Sequence, residues 1–109
     1  MILKRFVPSS LMLVFLVCAL STAAYADATL HVSNHWNHGL RISARRIHSN
    51  GARGEWHELG WVAGNQRQDF QLGRGGTYQI RADDRYGNRR AGRQITVGDG
   101  ETLRWQLNQ

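Results

Sequence analysis

Residues 30–42 read LHVSNHWNHGLRI. Leu30 and Val32 alternate with His31 and Ser33, and Leu40 and Ile42 flank Arg41, so each end of the stretch has the period of two that marks a half-buried strand. Between them, Asn37-His38-Gly39 has the composition of a tight turn. The stretch therefore predicts strand, turn, strand, and its three histidines have to be read on that geometry.

In an extended strand, His31 and His35 are about 13 Å apart at roughly 3.3 Å per residue, too far to share an ion whose ligand nitrogens sit about 2.1 Å from it. His35 and His38 flank the turn and form the one candidate metal-binding pair. A third ligand for it would have to come from His48 or His57 on the next hairpin, since no cysteine or nearby carboxylate is at hand. The remainder of the histidines read as surface residues, and no cofactor is expected.

The same alternation continues to the end of the chain. Seven strands are predicted at 28–36, 40–48, 55–62, 68–72, 77–83, 93–97 and 102–107, with glycine-rich breaks between them and no run of helical period. The fold class expected is all-β, a small seven-stranded antiparallel immunoglobulin-like sandwich, with a small open barrel as the other architecture to weigh. Leu30, Val32, Leu40, Ile42, Phe70, Leu72, Tyr78, Ile80, Ala82, Ile95, Val97, Leu103, Trp105 and Leu107 share the inward parity and are the predicted core. Parity slips at Arg45-Arg46-Ile47, where a bulge or the end of regular pairing is expected.

Residues 1–26 have the layout of a cleaved secretory signal peptide: Lys4 and Arg5, an apolar run from Leu11 to Leu20, and Ala24-Tyr25-Ala26 before Asp27. Ten apolar residues fall short of the roughly 20 that span a bilayer, so no integral membrane segment is expected in the mature form. Cys18, the only cysteine, lies in this leader and lacks the small residues of a lipoprotein signal before it. The expected mature domain, 27–109, is periplasmic or secreted and folds without a disulfide.

Its 83 residues carry twelve arginines, no lysine and eight acidic side chains, a net charge of +4. Such a domain is drawn to polyanions of the cell envelope, and nucleic acid is not among the expected partners. The densest basic run, DRYGNRRAGR at 84–93, sets Arg85, Arg89, Arg90 and Arg93 around Tyr86 in a predicted loop suited to phosphate or sulfate. Trp61 shares parity with Leu59 and reads as core; Trp56 does not, and is the expected exposed aromatic, able to stack on a sugar ring.

No nucleophile elbow, nucleophilic cysteine, zinc-protease motif or phosphate-cradling loop is present, and His57-Glu58 point to opposite faces of a strand. The chain reads as non-enzymatic, a binding or interaction module. Its partner would be a protein taken up at a strand edge or an envelope polyanion or carbohydrate; histidine-based metal binding is the third alternative.

Val32-Ser33-Asn34, Leu59-Gly60-Trp61-Val62, Phe70-Gln71-Leu72 and the closing Ile95-Thr96-Val97 before Gly98 together resemble a group of small exported bacterial β-sandwich proteins of uncharacterised function, which share V-x-N, L-G-x-V and F-x-L strands. The resemblance implies a secreted or periplasmic sandwich and no catalytic residues. Members often carry a lipoprotein cysteine, from which this sequence departs.

Overall fold

A computed structural model describes residues 26–109; apart from Ala26, the expected leader lies outside the described residues. Seven strands form: β1 (Ala28–Asn34), β2 (Leu40–Ile47), β3 (His57–Val62), β4 (Arg67–Gly73), β5 (Gly76–Asp83), β6 (Arg89–Val97) and β7 (Thr102–Leu107). They build two sheets, one of order β4-β1-β7 and one of order β3-β2-β5-β6, with no helix among the described residues. The chain is an all-β, two-sheet fold of the β-sandwich kind.

The expectation of purely antiparallel pairing is corrected at one place. β1 runs antiparallel to β4 but parallel to β7, in register from Thr29↔Thr102 to Asn34↔Leu107. The reason is connectivity: β6 and β7 belong to different sheets, so the turn between them is a crossing, and a crossing does not impose the reversal that an in-sheet hairpin does. The turn at 37–39 is likewise a crossing, with β1 in one sheet and β2 in the other. Among consecutive strands only β2–β3 and β5–β6 are hairpins.

The core follows the alternation. Leu30 and Val32 from the three-stranded sheet meet Leu40, Ile42, Val62 and Ile80 from the four-stranded one, all at most 1 % exposed, and burying each such side chain contributes about 1.5–3 kcal/mol. Phe70, Tyr78, Ile95, Val97, Trp105 and Leu107 complete it, while Leu72 and Leu103 are partly covered.

No bulge occurs at Arg45-Arg46-Ile47. Regular pairing with β3 does end there, at Ala44↔His57, while β2 pairs with β5 without a break to Ile47↔Thr77 and sets an arginine, Arg46, at an inward position. Arg46 closes that end of the sandwich, its Nη1 donating to the Tyr78 hydroxyl and its Nη2 to the Gly75 carbonyl, each at 2.9 Å.

The opposite end is pinned by Asn34, a 2 % exposed residue at an inward position of β1. Its Nδ2 lies 3.0–3.2 Å from the carbonyls of His38, Val62 and Ala63, and its Oδ1 accepts from the Trp36 amide. That last bond turns the chain after Asn34, which is why β1 ends there and not at Trp36.

Candidate anion-binding site

Alternation turns Arg45, Gln79, Arg81 and Gln94 to the outer face of the four-stranded sheet, and the register places Arg45 opposite Gln79 and Gln79 opposite Gln94. Gly92, opposite Arg81, leaves a gap in that face. The result is a hollow of about 340 Å³ lined by Arg45, Arg81, Arg89 and Arg93 with Trp56, the two glutamines, Ile80 and Gly92. Arg89 reaches this face because a bulge between Ala82 and Asp83 of the ladder pairs it with Asp83.

Trp56 sits just ahead of β3, and its ring takes the guanidinium carbons of Arg45 and Arg81 at 4.6 and 4.1 Å from the centroid. Both contacts are within cation–π range and hold the two cations beside one another. The Arg45 Nε donates to Gln79 Oε1 at 2.6 Å. Arg81 Nε lies 3.3 Å from Asp83 Oδ2 but is not aimed at it, and has no hydrogen-bond acceptor.

Charge in the hollow is unbalanced. Among the described residues Arg41 pairs with Glu58, Arg81 with Asp83 and Arg90 with Asp84, whereas Arg45, Arg89 and Arg93 are in no ion pair. Burial, and then the neighbouring charges of Arg53, Arg81 and Arg89, hold the Arg45 guanidinium below its ordinary value, though it remains a cation at neutral pH. An anion entering the hollow relieves this repulsion and supplies the acceptors that the arginines lack.

The expected basic loop at 84–93 is divided by the structure. β6 starts at Arg89, so only residues 84–88 form the turn. Arg89 and Arg93 go to the Trp56 hollow. Arg85, Tyr86 and Arg90 instead line a second hollow of about 390 Å³, shared with His38, Gly39, Trp61 and Asp84.

Asp84 organises that turn. It is 3 % exposed and accepts from the amides of Tyr86 and Asn88 at Oδ1 and from Arg90 Nε at Oδ2. Burial alone would raise its carboxyl, but the amides of Asn88 and Tyr86, with the Arg90 guanidinium, outweigh it and hold the group below its ordinary value.

The two tryptophan assignments exchange. Trp56 is half-buried beneath its arginines, while Trp61 is 46 % exposed. The cause is a bulge in β3: Ile42 pairs with Gly60 and Ser43 with Glu58, so Leu59 is the extra residue and the parity reverses beyond it. Val62 and Gly60 then face inward and Trp61 outward.

The histidines are scattered. His31 pairs with Asp69 across β1–β4, and His38 packs edge-on against Trp36 with its Nδ1 3.0 Å from Asn37 Oδ1. His48 and His57 line a different hollow along the far half of β2, His57 opposite Ala44 and His48 just past Ile47, four or more residues and so at least about 13 Å along the strand from the end that carries His38. Neither supplies the third ligand that the His35–His38 pair would need. No cluster of three or more metal-ligating side chains occurs among the described residues.

Arg45 and Arg81 are the site residues that sequence reasoning missed. Arg45 sits beside Arg46 in β2 and Arg81 sits alone between Ile80 and Ala82 in β5, and only the β2–β5 register brings Arg45 and Arg81 together. The chain matches no family model, no curated protein and no solved structure.

Proposed function

We propose that the protein is an exported, non-enzymatic β-sandwich module that binds an envelope polyanion on the outer face of its four-stranded sheet. The observation that carries this reading is the Trp56 hollow: four arginines around one opening, Arg93 reaching it from the inward-register side of the β6 edge, and three of the four in no ion pair among the described residues. Guanidinium groups present paired donors that match carboxylate, sulfate and phosphate oxygens, and Trp56 holds two of them in place before the ligand arrives. The leader-like residues 1–26 support an envelope location.

Retention on immobilised heparin across a salt series tests it. The double substitution Arg89→Ala with Arg93→Ala should lower the retention and flatten its logarithmic salt dependence by about two, one per cation removed. An unchanged slope in that variant contradicts the proposal. Both side chains are exposed, so the fold is not at stake.

Strand addition at the outer edge of β6, nine residues long with only β5 beside it, is a second reading. A partner bound that way stays bound in roughly 1 M salt, where the screening length is about 3 Å.

A further inference from the structure

The two large apolar side chains that stand exposed among the described residues, Trp61 at 46 % and Tyr86 at 73 %, line the same hollow at the end of the sandwich. Its floor is Gly39, where any Cβ would come within 2.3 Å of the Trp61 ring. Only glycine lets the indole cross there.

Both walls are fixed from behind by buried polar residues. Asn34 bonds the carbonyls of His38, Val62 and Ala63, which bracket Gly39 and Trp61. Asp84 bonds the amides of Tyr86 and Asn88 and the Arg90 side chain. Two exposed rings held by two many-bonded buried groups are a surface set in shape before any ligand arrives, which lowers the ordering cost of binding.

Trp61 and the arginine hollow belong to one face. Trp61 lies opposite Arg41, and Arg41 is on the same side of β2 as Arg45, four residues and about 13 Å along the strand. The Trp56 ring is covered by the Arg45 and Arg81 guanidinium groups, and the Tyr86 ring has the Arg85 guanidinium carbon 4.9 Å from its centroid, so Trp61 is the exposed ring that no cation covers among the described residues. Single-stranded nucleic acid is held by a series of rings on which successive bases stack. One open indole with arginines on both sides of it suits instead a single sugar ring whose neighbouring units carry the anionic groups.

We propose that the ligand is an acidic glycan, with one pyranose ring packed on Trp61 and Tyr86 and the carboxylates or sulfates of neighbouring units in the Arg45–Arg81–Arg89–Arg93 hollow. This rests on the polyanion reading above and names its ligand class.

The test compares a heparin oligosaccharide, inorganic polyphosphate of matched charge and an oligothymidylate by calorimetry, using the parent protein, Trp61→Ala and Tyr86→Ala. Each substitution should weaken the heparin oligosaccharide about tenfold and polyphosphate less than twofold. Equal losses on both ligands, or no loss on heparin, overturn the glycan assignment while leaving polyanion binding in place. Tighter binding of the oligothymidylate than of heparin, lost on the same substitutions, overturns it in favour of nucleic acid. If the parent binds none of the three, the polyanion reading fails and this one with it. Tyr86 lies on an exposed turn, so its variant keeps the result readable should Trp61→Ala lose stability.

Discussion

The Asn34 side chain ties β1 to the turn that follows it and to the end of β3. Two hydrogens on Nδ2 face three carbonyls, and replacing the amide leaves buried acceptors without partners. Asn34→Ala should lower unfolding free energy by about 3 kcal/mol in a urea titration, and Asn34→Asp by more, since it turns oxygen lone pairs toward those carbonyls. Asp84 makes a pH-dependent contribution. Its folded-state carboxyl is held below the ordinary 3.8, so the stability it adds is present above that pH and is lost as pH falls through the lowered value. Asp84→Asn should remove that part of the acid sensitivity while lowering stability at neutral pH, as read by thermal melts across the acid range. Of these two residues the sequence shows only the oddity of Asn34, an amide at an inward position of an apolar strand. Asp84 bears no such mark, because the amides it accepts from become neighbours only once the turn closes.

The strands were legible and their local irregularities were not. Period-two alternation placed all seven elements and nearly the whole core, because a half-buried strand must repeat every second residue whatever it pairs with. The bulges in β3 and β6 have no such local requirement, and each reverses the face of what lies beyond it. That is why Trp61 read as core and is exposed, and why Arg89, which lies ahead of the expected strand at 93–97, takes the outer face of β6. Gly60 holds the β3 bulge: its φ of +155° is one that side chains rarely adopt, and a Cβ there would stand 2.8 Å from Phe70 Cε1. Gly60→Ala should cost about 2 kcal/mol by chemical denaturation, more than an ordinary surface strand substitution.

At the scale of the whole molecule, the charges that look dispersed along the chain become concentrated by cross-strand register. Arg45, Arg81, Arg89 and Arg93 come from three strands and span nearly fifty positions, yet line one hollow. The outer face of the three-stranded sheet carries fewer arginines, Arg67 opposite Ser33 and Arg104 opposite His31, with His31 itself paired to Asp69 and Gln71 close to Thr29. The sequence could show a net positive domain, but the sidedness arises from pairing between strands distant in sequence, which alternation alone does not specify. A ligand that meets one sheet face leaves a mark on that face alone. In amide chemical-shift mapping during titration with a heparin oligosaccharide, the largest changes should fall on β2, β5, β6, Trp56 and Trp61. Changes concentrated on β1, β4 and β7, or spread evenly over both sheets, would contradict binding at that face.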